Sequence, residues 1–307
     1  MLVGLDVEQI TGETQFISPS GPTGFFDGPT FRTTSPFAAL NGELQRGDWR
    51  LVPSIGVRFY RHNEFSSETA PHAGIIADNG PWQLRANASR GVNYPGLDVV
   101  VFSQNIIPPL GGSWRDLSAE RVDHYEVGVR FSQPQRFTAD LAIFRDRGDN
   151  RYVFVPPPPP PPFYTNVGGV TVEGAEATVS VQATPQWSVF WGVTVLRPSL
   201  DSLPYTPRQS YALGVNGVVQ RWRISVDVQR VGEQFVLSQG RSAAALNTER
   251  VDGFLVLNTR VAYMLPVERP NLEIYAAIEN LGRTTYEFRP GFPMPKQMAM
   301  IGLVGRW

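Results

Sequence analysis

Cysteine is absent from the 307-residue chain, which removes disulfide frameworks, thiolate zinc sites, iron–sulfur clusters and cysteine nucleophiles together. Histidine is nearly absent: His62, His72 and His124 lie far apart, and none has a ligand-like neighbour one helical turn on. No stretch approaches the roughly 18 apolar residues that a spanning helix needs, and the mean hydropathy of −0.18 agrees. Charge is sparse and balanced, with 27 basic against 28 acidic residues and no Lys/Arg block, so nucleic acid is not an expected partner. The opening Met1-Leu2-Val3-Gly4-Leu5-Asp6 has no basic n-region, apolar h-region or cleavage site, so these residues carry no export signal. G-x-S-x-G and a phosphate-cradling glycine loop are missing too. With no catalytic constellation, the chain is expected to have no enzyme activity, no cofactor and no resident metal.

What is present is a period of two. Gly 29 and Pro 27 make about 18% of the chain and aromatics 11%, a mix suited to many strands joined by turns. In Trp49-Arg50-Leu51-Val52-Pro53-Ser54-Ile55-Gly56-Val57-Arg58-Phe59 one side reads Trp, Leu, Pro, Ile, Val, Phe and the other Arg, Val, Ser, Gly, Arg. Only an extended strand sends successive side chains to opposite faces. Trp82–Ser89 repeats the scheme, and Trp222–Gln229 is its purest case, with Arg, Ser, Asp and Gln opposite the aliphatic row. Pro53 cannot donate to a ladder, so a bulge or a lost bond is expected there.

Connections of two kinds take turns along the chain. Short ones fall at Arg46-Gly47-Asp48, Asp78-Asn79-Gly80-Pro81, Gln133-Pro134-Gln135-Arg136, Thr184-Pro185-Gln186, Gln220-Arg221 and Pro266 to Asn271. Between them lie polar or Pro-rich stretches at residues 10–36, 61–71, 91–120, 146–169, 197–209, 232–250 and 281–296. This predicts an all-β, antiparallel transmembrane β-barrel with 14 strands present, seven rising and seven descending, both chain ends on the short-turn side. Short turns on one rim and long loops on the other is the layout of outer-membrane barrels, and strands of about 9–11 residues match a tilted crossing. The competing architecture, a soluble sandwich, uses strands nearer about 5–6 residues.

Two side-chain patterns support the barrel. Trp49, Trp82, Phe137, Trp187 and Trp222 each follow a short turn, and Trp307 ends the chain. Amphipathic rings favour the boundary between hydrocarbon and headgroups, so this row is expected to form a membrane girdle. The second pattern is the polar face: Arg58, Arg85, Asn87, Glu126, Arg130, Asp140, Glu176, Arg223, Asp227, Asn258, Arg260, Glu273 and Glu279 all alternate with the apolar residues. A dry core could not hold so many charges, whereas a hydrated lumen can. Arg130 and Asp140, on neighbouring strands, are expected to pair.

The last segment, Met298-Ala299-Met300-Ile301-Gly302-Leu303-Val304-Gly305-Arg306-Trp307, resembles the C-terminal signal by which outer-membrane barrels are recognised, and so implies the barrel-assembly machinery as a partner. Upstream, Glu120 with His124-Tyr125-Glu126-Val127-Gly128-Val129, then Asn166 to Gly174-Ala175-Glu176, then Pro207-Arg208 leading into Leu213-Gly214-Val215, resemble landmarks of TonB-dependent receptors in their order. Glu279-Asn280-Leu281-Gly282 with Tyr286 and Pro290-Gly291-Phe292-Pro293 is similar to that family's stretch before the final strand. Residues 90–97 match it less well, and the haem-receptor form of that region is not recognisable. The resemblance implies a barrel of about 22 strands around a plug, of which residues 1–307 are the C-terminal portion, with no plug domain among them. It also implies outer-membrane lipid as surroundings in a Gram-negative-type bacterium, TonB as a partner only through N-terminal material, and a small-molecule ligand such as a ferric siderophore.

Ligand capture in such a barrel falls to external loops, where Arg can grip anionic oxygens bidentately and aromatics can stack on planar groups. Tyr94, Trp114, Tyr152, Tyr164, Tyr205, Arg208, Arg241, Phe288 and Arg289 are the candidates. The run Pro156 to Pro162 must be polyproline II and is expected to form a stiff external loop. Arg46-Gly47-Asp48 and Arg147-Gly148-Asp149 are read as turn chemistry rather than adhesion motifs. The alternatives to a receptor are a passive channel, with the 14 strands closed on themselves, and an idle truncated fragment whose open edges cannot persist in lipid.

Overall fold

The computed structural model describes residues 1–101, 103, 108–155, 163–237, 248–267 and 271–306. Fourteen strands follow one another in a single antiparallel path, each hydrogen-bonded to the next in the chain. They are β1 Leu2–Ile10, β2 Phe31–Asn41, β3 Trp49–His62, β4 Glu68–Asn79, β5 Trp82–Asn93, β6 Glu120–Gln133 and β7 Phe137–Asp149, then β8 Val170–Gln182, β9 Trp187–Pro198, β10 Gln209–Val219, β11 Trp222–Val231, β12 Phe254–Met264, β13 Asn271–Glu279 and β14 Met298–Arg306. The short strand Leu44–Arg46 lies beside β3. The expected 14-strand meander and its alternation of tight turns with long loops are both present. No pairing joins β1 to β14 among the described residues, so the sheet has two edges and stands as part of a barrel wall.

Tight turns set the register. At Gly80-Pro81 the flanking Asn79 and Trp82 pair directly, and Gly80 takes φ +55°, the left-handed first position that a type II′ hairpin turn demands. Pro53 sits opposite Ile75 without a register shift. Its other neighbour, β2, stops pairing at Asn41, and only Gly42 N–H reaches the Pro53 carbonyl, at 3.0 Å. The lost ladder bond is therefore on the β2 side, where the strand is already breaking up into the turn.

The strands run further outward than the apolar pattern. Residues 61–71, read as a loop, shrink to the five residues between His62 and Glu68. Backbone pairing does not need apolar side chains, so ladders continue through polar residues until a loop breaks them. Three loops also fold back as hairpins of their own, Glu13–Ser18 with Gly21–Asp27, Arg151–Val155 with Phe163–Val167, and Gln234–Leu237 with Thr248–Val251.

Register assigns the faces. Ile75, Ala86, Val127, Ile143, Ala175 and Val195 make one apolar rung from β4 to β9. On the opposite face large rings lie over cross-strand glycines: a side chain added at Gly174 would meet the Phe144 ring at 2.3 Å, and one at Gly214 the Phe190 ring at 2.0 Å. Ring and glycine thus fill one side-chain layer between them, a device that steadies otherwise weak strand glycines. Gly174→Val is expected to force Phe144 off its strand-hugging rotamer at about 1–3 kcal/mol, lowering the urea midpoint of the folded chain in detergent. An unchanged midpoint would show that the ring moves aside freely.

Candidate functional site

The polar face is built as ion-pair clusters. Arg85 donates from Nε to Glu126 at 2.7 Å and from its two terminal nitrogens to Asp140 at 2.8 and 3.1 Å. Arg130 reaches the same Asp140 at 2.7 Å, as the pairing expectation required. A second cluster gathers Arg223 at 3.0 Å and Arg260 at 2.6 Å onto Glu273, with the Arg260 guanidinium also 4.4 Å above the Tyr275 ring. Asn258 donates to Asp227 at 2.9 Å, and Arg58 pairs with Asp6. These groups range from the buried Glu273 to the exposed Asp6 and satisfy one another, so the face presents organised charge. His62, His72 and His124 are dispersed: His62 packs against Phe31 and Tyr94, His72 lies over Gly56, and His124 contacts Asp146.

At the long-loop end, a loop core forms that sequence patterning did not reveal. Residues 91–120, read as a polar or Pro-rich loop, contain a helix at Leu97–Val101 and a 3-10 turn at Ser113–Asp116. Val99, Val100, Leu110, Trp114 and Leu117 bury themselves with Phe31 of β2, Phe65 and Tyr164. The signal for it was the apolar run Leu97-Asp98-Val99-Val100-Val101, too short to register against strands of twice the length. Polar clamps fix the loops around this core. Asn166 donates to the Ser118 and Asn150 carbonyls at 3.0 and 2.6 Å and accepts from Ser118 N–H at 2.8 Å. Glu120 accepts from Asn93 at 3.1 Å and from Tyr152 N–H at 3.2 Å.

The candidate ligand residues divide into three groups. Tyr94, Trp114, Tyr152 and Tyr164 are brought together in or against the loop core, Trp114 with no exposure at all. Burial pushes the Tyr94 and Tyr164 phenols up to about 12 and raises Tyr152; Tyr94 accordingly keeps its proton and donates to the Ser66 carbonyl at 2.9 Å. Tyr205 and Arg208 share the loop after β9: Tyr205 is 56% exposed with a left-handed φ of +59°, and Arg208 pairs with the solvent-facing Asp201. Phe288 and Arg289 lie in the loop before β14, Phe288 edge-on to Phe254 at 5.3 Å and Arg289 at 5.4 Å from the Phe292 ring. That loop is organised by Asn280, which at φ +52° donates to the Thr284 carbonyl at 2.8 Å and accepts from Thr284 N–H at 2.9 Å. Arg241 and the proline run 156–162 lie outside the described residues.

The ring-bearing positions after tight turns, Trp49, Trp82, Phe137, Trp187 and Trp222, each begin a strand, on the apolar face by register. Trp82 packs on Phe131 at 4.7 Å and Trp222 on Tyr263 at 4.8 Å. Trp307 lies outside the described residues.

A long antiparallel meander with one apolar face, one ion-paired face, tight turns at one rim and folded loops at the other defines a large up-and-down β-barrel wall. The family model described as TonB dependent receptor-like, beta-barrel, matches residues 2–281, and the chain belongs to that family. Among curated proteins, the catecholate siderophore receptor Fiu of Escherichia coli K12 is 22% identical over 202 residues, 58% of this chain and 25% of the relative. Among solved structures, the copper transporter OprC superposes with a TM-score of 0.72 at 15% identity, over 98% of this chain and 53% of that one. The ferric enterobactin receptor PfeA of Pseudomonas aeruginosa gives 0.67 at 13% identity, covering 98% and 58%. The ferric citrate transporter FecA gives 0.67 at 17%, covering 99% and 51%. The chain thus spans about a quarter of the curated relative and about half of each solved chain. The family and these neighbours are receptors and transporters, not enzymes.

Proposed function

We propose that the chain is the barrel part of an outer-membrane receptor that takes up a ferric siderophore, its apolar face in lipid and its ion-paired face lining a hydrated lumen. The observation that carries this reading is the segregation of the two faces across the middle of the wall, with whole clusters such as Arg85–Glu126–Asp140–Arg130 on one side and the uncharged rung Ile75, Ala86, Val127, Ile143, Ala175 and Val195 on the other, while charges return to that side at the outer strand ends. In this reading the long loops face outward, the tryptophan row sits at the inner boundary, β14 addresses the assembly machinery, and plug and TonB act with the barrel in the whole receptor. The two unpaired edges weigh against the self-closed channel.

Capture falls to the exposed candidates, Tyr205, Arg208, Phe288 and Arg289, while Trp114 and its neighbours hold the loops in shape. The name of the relative Fiu supports a catecholate, whose planar rings suit stacking and whose anionic oxygens suit Arg. The test is binding of ferric enterobactin to the full chain in detergent, followed by quenching of intrinsic fluorescence. Arg208→Gln with Arg289→Gln is expected to weaken it about tenfold. Unchanged binding in that double variant would remove these loops from the ligand site, and absence of binding to the native chain would remove the ligand class.

A further inference from the structure

We propose that the apolar face carries a seat for a phosphate-bearing anionic lipid, with the acyl chain in a trough across β4 to β7 and the phosphate held at the outer strand ends by Arg145, Arg147 and Arg197. The inference rests on the membrane reading above and adds to it one defined lipid site.

The apolar rung through Val127 and Ile143 has no charge, but the next two rungs outward change character. The first aligns Tyr125, Arg145, Glu173 and Arg197 on β6 to β9. The second aligns Arg90, Asp123 and Arg147 on β5 to β7. All of these side chains are on the same face as the hydrocarbon-facing residues below them, since register allows no other side. Four guanidiniums therefore surround two carboxylates; beyond them Asp149 faces Arg121 across the ladder, and Arg121 is itself paired with Glu68 at 2.7 Å, so the cluster keeps one more cation than acids.

Neutralisation among them is incomplete. Arg90 grips Asp123 with two bonds, at 2.6 and 2.9 Å. Arg145 stays 3.7 Å from Glu173, and Arg147 stays 3.3 Å from Asp149. Arg197 faces Glu173 in register and has no ion pair among the described residues. The Arg145 and Arg147 side chains are 59% and 63% exposed. Their planar donors remain open to a phosphate oxygen pair, the acceptor that arginine fits best.

Below the cationic rungs the face is hollowed by small residues. Ala73, Ala86 and Ala88 leave a trough of about 750 Å³ bounded by Tyr125, Val127 and Ile143, and it ends at Arg145 and Glu173. An adjoining groove of about 650 Å³ along Ala38, Ile55, Pro71 and Ala88 ends at Arg90 and Asp123. An almost wholly apolar trough ending at a net positive rim matches a hydrocarbon chain joined to an anionic headgroup, and not a free anion.

The experiment measures binding of phosphatidylglycerol and phosphatidylcholine to the full chain in mild detergent by native mass spectrometry, with flotation of the reconstituted chain as a check on insertion. Phosphatidylglycerol is expected to bind the more tightly, and Arg145→Gln with Arg197→Gln to weaken it about 30-fold, leaving phosphatidylcholine unaffected. Arg46→Gln, which removes one positive charge at the tight-turn rim, is expected to keep the preference, as Arg145→Gln alone is not. Equal affinity for the two lipids, a preference that survives the double substitution, or displacement of the lipid by inorganic phosphate alone would overturn the site and leave the receptor reading standing. A chain that neither binds lipid nor floats with vesicles would overturn both.

Discussion

Trp114→Ala is expected to cost about 3–5 kcal/mol in the loop region, the range for deleting a large buried aromatic. The ring is fully enclosed, 6.0 Å from both Phe31 and Phe65, with the Arg115 guanidinium 4.5 Å above it. Those partners come from β2 and from the turn after β3, so the ring joins three separate stretches of chain. Its removal leaves a cavity that the short helix Leu97–Val101 cannot close, because Glu120 pins Asn93 on one flank and Asn166 pins Ser118 on the other. Hydrogen exchange should therefore accelerate over residues 94–119 while the ladders of β8 to β13 keep their protection. Trp114→Phe separates packing from polarity. The buried indole N–H has no partner among the described residues, so phenylalanine keeps most of the contact and discards an unsatisfied donor, for a change of about 1.5 kcal/mol or less. If alanine and phenylalanine behaved alike, the loop core would not depend on this ring.

Much of this architecture was legible because a half-wet strand has only one sequence pattern to offer. Trp222–Val231 shows it cleanly: the period of two gave both the strand and its faces, and the turn at Gln220-Arg221 gave its partner. Pairings between neighbouring strands follow once turn positions are known, which is why Arg130 and Asp140 could be matched from sequence. The family landmarks were visible as motifs, but the physical reason for them was not. Glu120, Asn166 and Asn280 are polar residues that satisfy backbone groups of distant loops, and no local pattern announces a bond across 48 residues such as Asn166 to Ser118. The loop core was hidden for a related reason. Phe31 at the start of β2, Phe65, Trp114 and Tyr164 come from four separate stretches of chain, without periodicity to connect them, so only the folded chain brings them together. Reading ligand contacts from composition consequently mixed packing residues such as Trp114 with exposed ones such as Tyr205.

The assignment of faces itself is tested by one adjacent pair. Val226 and Asp227 are consecutive residues in the middle of the ten-residue β11. Val226 stands between Val215 and Thr259 on the apolar side, whereas Asp227 accepts from Asn258 at 2.9 Å on the polar side. In a bilayer, Val226→Arg places a guanidinium near the hydrocarbon midplane and is expected to cost about 2–4 kcal/mol, seen as a lower urea midpoint for the chain in vesicles. Asp227→Asn retains an acceptor for Asn258 and stays in contact with water, so its expected change is about 1 kcal/mol or less. The discriminating quantity is the gap between the two variants in lipid compared with the same gap in a detergent of short, disordered chains. A hydrocarbon-facing Val226 makes the gap widen in the bilayer, since arginine there must carry water or headgroups inward with it. A gap that stays the same in both media, or that reverses, would place Val226 against protein or water instead, and the wall would have to be turned inside out or folded into a soluble body.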